Sequence, residues 1–117
     1  MKSVLIVDDS AVMRRMMRNT ITNIGYEVAG EARNGRVGVE KYKELRPDIV
    51  TMDVTMDEMN GIEALKVILE IDPDAKVVMV SSMGQKLVVK EAILSGAKGF
   101  VLKPFEDWEL KNAFSKL

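Results

Sequence analysis

Short apolar runs and helical patterns take turns from one end of this sequence to the other. The runs cover residues 4–7, 49–52, 77–80 and 100–102 and are rich in Val and Ile. Such runs suit parallel strands covered on both faces. A fifth run, 26–32, is more polar and alternating, which predicts an edge strand. Between the runs lie helical patterns. Ser10 is a candidate N-cap for a helix with apolar positions at Val12, Met13, Met16, Met17, Ile21 and Ile24, closed by Gly25. A second pattern spans 35–45 and is stopped by Pro47, and a third runs from Asn60 or Gly61 to Ile71, with Asp72-Pro73-Asp74 as the turn. A fourth spans 85–95 and closes at Gly96. The fifth spans 106–117, with Leu110, Ala113, Phe114 and Leu117 at i, i+3, i+4 and i+7. Strict βα alternation with short connections implies right-handed crossovers. The expected fold is therefore α/β, a five-stranded parallel sheet, doubly wound, with helices on both faces. Residues 1–117 read as a single domain, without linker or repeat.

Composition narrows the function. The net charge is −1, from 17 basic and 18 acidic residues, so no basic excess points to nucleic acid or an anionic membrane surface. There are no cysteines and no histidines. That removes disulfides, thiolate and histidine metal sites, and His-based catalysis. The expected setting is the cytoplasm: the first apolar run is too short for a secretory leader, and none is long enough to span a bilayer.

Polar groups fall where the strands end. The stretch "VLIVDDS" runs straight from apolar residues into Asp8 and Asp9. The third strand candidate ends in Asp53, the fourth in Ser81 and the fifth in Lys103. In a parallel sheet all carboxyl ends share one edge, and ligands bind there, where strand order reverses. A lone Asp at a strand end is ordinarily a loop residue or a helix cap; the full set, each member after an apolar run, points to a site. Three carboxylates so close repel, by about 4 kcal/mol for two charges ~4 Å apart at an effective dielectric of ~20. They need a proton or a cation. Oxygen ligands alone favour a hard cation, with Mg²⁺ leading and Mn²⁺ as the alternative. A metal, a lysine, a hydroxyl and a spare carboxylate are the parts for phosphoryl transfer to an aspartate.

"LIVDDS", "PDIVTMDVTMDEMNGIEAL", "VVMVSSMG" and "GAKGFVLKPF" resemble the receiver domain of two-component response regulators, end to end. Within that family the likeness is greatest to stand-alone chemotaxis regulators. The resemblance implies the flavodoxin-like strand order 2-1-3-4-5. It casts Asp53 as the phosphoacceptor and Asp9 as a direct Mg²⁺ ligand. Asp8 becomes the neighbour acting through water, and the main-chain carbonyl of Thr55 the third protein ligand. It casts Ser81 as the hydroxyl that moves to the phosphoryl group, Lys103 as its cationic partner, and Lys103-Pro104 as a cis peptide. Phe100 is the aromatic that turns inward when Ser81 moves, and Thr55 and Met83 occupy the positions that tune hydrolysis. Three residues depart from the family pattern: Asp57 stands where Pro is usual, Ser82 where a small apolar residue is usual, and Gly38 where Ala is common, at about 1 kcal/mol.

The implied function is that of a signalling domain, which catalyses only its own phosphorylation and dephosphorylation. A histidine kinase donates the phosphoryl group, and the target is a flagellar motor switch or an adaptor protein. A monomer is expected. Trp108 lies off the Leu110/Phe114 stripe and reads as packing at the start of the last helix, with a partner anchor on an output face as the alternative. Arg14, Arg15 and Arg18 read as a solvated helix surface. The methionines read as core fillers, with Met56, Met59 and Met83 near the rim of the site.

Rival readings are a phosphorelay intermediate, a receiver cut from a larger regulator, and an unphosphorylated scaffold. A haloacid-dehalogenase-type phosphatase would want an Asp at position 55, where Thr stands. A flavin binder would want a glycine-rich phosphate loop after the first strand, and a calcium loop from Asp53 fails at Glu58 and Ala64.

Overall fold

The structure is a computed structural model that describes residues 1–54, 56, 59–82 and 85–117. Ten elements alternate along it: β1 Ser3–Val7, α1 Ala11–Asn23, β2 Glu27–Ala32, α2 Gly35–Leu45, β3 Ile49–Asp53, α3 Gly61–Ile71, β4 Val77–Ser82, α4 Lys86–Leu94, β5 Gly99–Lys103 and α5 Asp107–Ser115. All four pairings are parallel, and the strand order is β2-β1-β3-β4-β5. The order in which successive strands are added reverses at the β1/β3 boundary, which opens a crevice above their carboxyl ends. No helix among the described residues is long and apolar enough to cross a membrane.

Apolar runs without polar alternation make physical sense here because both sheet faces are covered. Leu5, Val7, Val50, Met52, Val77 and Met79 pack with α2, α3 and α4. Val4, Ile6, Ile49, Val78, Val80 and Val101 pack with α1 and α5. Leu110 and Phe114 anchor α5, and Phe114 meets Tyr26 edge to face at 5.0 Å. Burying each such side chain contributes about 1.5–3 kcal/mol.

Local signals set most boundaries. Ser10, Asn34 and Asn60 each accept a hydrogen bond from a backbone N–H in the first turn of their helices. Gly25 and Gly96 take the left-handed conformation after α1 and α4. The last two helices are shorter than their patterns, at Lys86–Leu94 and Asp107–Ser115.

Two expectations are corrected. The periodic positions Val12 and Met16 of α1 are 69% and 51% exposed, because only Met17 and Ile21 of that helix reach the sheet as buried residues. β5 is not covered on both faces. As the second edge strand it leaves Phe100 and Leu102 exposed and buries Val101.

Gly38 has a packing role. A Cβ there would lie 3.0 Å from both Val7 methyls, so the glycine lets α2 close on β1. The helix-propensity cost is offset by that close approach.

Candidate functional site

The site stands where β1 and β3 end. Asp8 follows β1 directly and is buried. Its N–H donates to the Ala32 carbonyl at 3.0 Å, tying it to the end of β2. Its Oδ1 accepts the Ser10 N–H at 2.9 Å, and its Oδ2 accepts from Lys103 Nζ at 3.1 Å. Asp9 is exposed, and its carboxylate accepts no hydrogen bond from a described residue. Asp53 is the last residue of β3 and is buried, with Oδ1 3.4 Å from Lys103 Nζ. Asp8, Asp9 and Asp53 each offer an oxygen within 4.8 Å of the others. The convergence expected from strand ends is therefore present, with Asp53 and Lys103 closing their strands rather than following them.

Charge in this crevice is unbalanced. Burial first, and then the negative charge of Asp8, push the Asp53 carboxyl up from 3.8 to about 6, against the pull of Lys103. Among the described residues, one ammonium faces three carboxylates. An all-oxygen cluster of this charge, in a crevice open at Asp9, has the chemistry of a hard divalent cation site. The Ser81 hydroxyl adds a second deficit: it is fully buried and has no hydrogen-bond partner among the described residues. Leaving such a group unpaired costs about 1–3 kcal/mol. A cation among the carboxylates and an anion within reach of Ser81 and Lys103 would remove both deficits. The residues present thus fit a metal ion together with an oxyanion.

Other expected residues separate into groups. Thr55, Asp57 and Met83 lie outside the described residues. Lys103-Pro104 is cis. Phe100 is outward, 48% exposed. Trp108 is 67% exposed and does not pack at the start of α5; it lines a groove of about 340 Å³ between β5 and α5, which Phe100 also lines. A large aromatic off the apolar stripe finds no core to enter. Met56 is a core residue rather than a rim residue. The Ser82 N–H and hydroxyl both point to Gln85 Oε1, at 2.8 and 3.2 Å, which gives that departure a local partner.

Two contributors were invisible in the sequence. Gly61 lies so close beneath β3 that an added Cβ would sit 2.1 Å from the Asp53 carbonyl oxygen. Arg14 is turned away from solvent, and its Nη1 donates to the Asp8 carbonyl at 2.6 Å. The solvated-surface reading of the arginines holds for Arg15, which is exposed, but not for Arg14. Neither contact leaves a trace in spacing or composition.

The 2-1-3-4-5 order is shared by flavodoxin and receiver domains such as CheY, so topology alone leaves the family open. The acidic crevice and its lysine narrow the choice, and the chain belongs to the response regulator receiver family: the model for the response regulator receiver domain matches residues 4–115. Within that family it is CheY-like. It is 60% identical over 116 residues to the chemotaxis protein CheY of Thermotoga maritima, covering 99% of this chain and 97% of that protein. It is 51% identical to Bacillus subtilis CheY, covering 97% and 94% of the two chains. In three dimensions it matches a chain of the CheX–CheY–BeF3–Mg²⁺ complex from Borrelia burgdorferi with a TM-score of 0.91, at 36% identity over 97% of this chain and 86% of that one.

Proposed function

We propose that this chain is a phosphorylation-activated chemotaxis regulator that accepts a phosphoryl group on Asp53. The observation that carries the reading is the meeting of Asp8, Asp9 and Asp53 around one point, with Lys103 bridging Asp8 and Asp53. Receiver-family membership and the CheY likeness supply the context. On this reading residues 1–117 form one receiver domain, monomeric and cytoplasmic. It is a signalling domain rather than an enzyme with turnover.

Asp8, Asp9, Asp53 and the Thr55 carbonyl would hold Mg²⁺, with Mn²⁺ as a substitute. Such an ion would supply positive charge against the carboxylates and the incoming phosphoryl oxygens. The donor is a phosphohistidine on a partner kinase, since this chain has no histidine. An Asp53 carboxylate oxygen attacks phosphorus in line. The phosphorus–nitrogen bond breaks, its electron pair leaves with the imidazole, and an acyl phosphate forms. Lys103 shifts its ammonium from the Asp53 carboxylate toward the new phosphoryl oxygens. Water later cleaves the acyl phosphate and restores Asp53.

Ser81 gains the acceptor it lacks when the phosphoryl group arrives. Its movement vacates volume beside β5, and Phe100 turns in from its exposed position. The face of α4, β5 and α5 would change, Trp108 with it, and a motor-switch or adaptor protein would read that change. The Borrelia structure pairs CheX with CheY in the presence of BeF3 and Mg²⁺, a precedent for a partner of this kind.

Intact mass after incubation with Mg²⁺ and a small acyl phosphate tests the reading. One phosphoryl group should be added, and the addition should vanish in Asp53→Asn and in chelator. No adduct, with no donor consumed, would refute it.

A further inference from the structure

Asp9 is the odd member of the acidic cluster. Asp8 is held at every polar group: N–H by Ala32, Oδ1 by Ser10, Oδ2 by Lys103, and carbonyl by Arg14. Asp53 is fixed by the sheet and faces Lys103. The Asp9 carboxylate has no such partner among the described residues, yet it stands within 4.8 Å of the other two. What aims it is its backbone. The plane of the Asp8–Asp9 peptide decides where the Asp9 Cα points, and the oxygen of that peptide is the Asp8 carbonyl held by Arg14 at 2.6 Å.

Arg14 is itself braced. Its Nε donates to Glu31 Oε1 at 3.2 Å, and Arg18 grips the other Glu31 oxygen at 2.7 Å. Glu31 lies in β2 one residue before Ala32, the acceptor for the Asp8 N–H. The guanidinium therefore spans from the end of β2 to the Asp8–Asp9 peptide. That double grip needs a planar fork with separate donors, which lysine does not have. Arg14 is also far less exposed than Arg18, at 19% against 48% of the side chain.

We infer that Arg14 is a positioning residue for the cation site: by fixing the Asp8 carbonyl it holds the Asp9 carboxylate in register with Asp8 and Asp53. The inference rests on the phosphoacceptor reading of the site. Glu31, shared with Arg18, serves as its brace and offsets part of its charge beside the cation site.

The test is calorimetric Mg²⁺ binding to the full chain without phosphodonor, alongside the Mg²⁺ dependence of adduct formation from a small acyl phosphate. Arg14→Lys keeps the charge and removes the fork, and Arg15→Lys is the control. Arg14→Lys should weaken Mg²⁺ binding about tenfold, within the range for lost outer partners of a metal site. The Mg²⁺ needed for half-maximal phosphorylation should rise by the same factor, while the rate at saturating Mg²⁺ stays near that of the parent. Glu31→Gln is the second variant, read at high salt to screen its charge change, and should weaken binding in the same direction. A purely structural role would lower thermal stability and leave Mg²⁺ affinity alone, and that result would overturn the inference. A parent chain that binds no Mg²⁺ and takes no phosphoryl group would overturn the functional reading, and this inference with it.

Discussion

Replacing Asp53 with Asn should stabilise the metal-free protein at neutral pH, while on the proposed function it should abolish phosphorylation. The reason is the carboxyl's environment. Burial and Asp8 raise it from 3.8 to about 6, so ionising it in the folded state is harder than in the unfolded chain. A shift of that size corresponds to ~3 kcal/mol at most. That ceiling already contains the pull of Lys103; solvent screening in a crevice open at Asp9 reduces it, so about 1–2 kcal/mol is expected, or roughly 4–8 °C in Tm for a domain of this size. The pH dependence carries a sign. A carboxyl with a raised folded value keeps its stability below pH 3.8, where both states are protonated. That stability is lost as pH rises through about 6, where the folded state must release a proton the unfolded chain has already shed. Asn does not titrate. Its advantage should therefore be small near pH 4, grow between pH 4 and 6 and level off above. Thermal unfolding in chelator at pH 4 and pH 7.5 measures this, followed by added Mg²⁺, which should stabilise the parent more than the variant. An Asn variant less stable than the parent at pH 7.5 in chelator, or a gain that ignores pH, would refute the electrostatic account.

Ser81→Ala removes a buried hydroxyl that has no partner among the described residues, so urea unfolding should show the metal-free protein gaining about 1 kcal/mol. A loss instead would mean the hydroxyl is satisfied. Gly61→Ala drives a Cβ into the Asp53 carbonyl oxygen, and because that atom belongs to a central strand, a cost of about 1–3 kcal/mol in equilibrium unfolding is expected. Beryllofluoride with Mg²⁺ should change the emission of Trp108, because it lines the same groove as Phe100. The change should disappear in Asp53→Asn, and unchanged emission in the saturated parent would count against an inward turn of Phe100.

Short-range physics made most of the fold legible before any coordinates. Runs such as "VLIV" have the composition of strands covered on both faces, and Ser10, Asn60, Gly25 and Gly96 punctuate the helices through caps and left-handed turns that depend on a few neighbouring residues. The site was legible for a related reason. In a parallel sheet, a polar residue at a strand's carboxyl end is placed by topology, so Asp8, Asp9, Asp53, Ser81 and Lys103 could be assigned to one edge across 95 residues of chain. The strand order came from family likeness, since alternation alone does not say which strand lies beside which.

What the sequence determined by itself was therefore the identity and order of the elements, and the edge at which the charges gather. Tertiary structure decided how deeply each group is buried and what it touches. Val12 and Met16 keep helical spacing yet face solvent, because their exposure depends on how α1 sits against the sheet. Phe100 and Trp108 are exposed because β5 is an edge strand, a property of the whole sheet. The tight approach of Gly61 to Asp53 and the reach of Arg14 to the Asp8 carbonyl join atoms whose nearness arises only when the helices dock. Periodicity records which way a residue tends to point; distance, burial and the shared field of Asp8, Asp53 and Lys103 exist only once the elements pack.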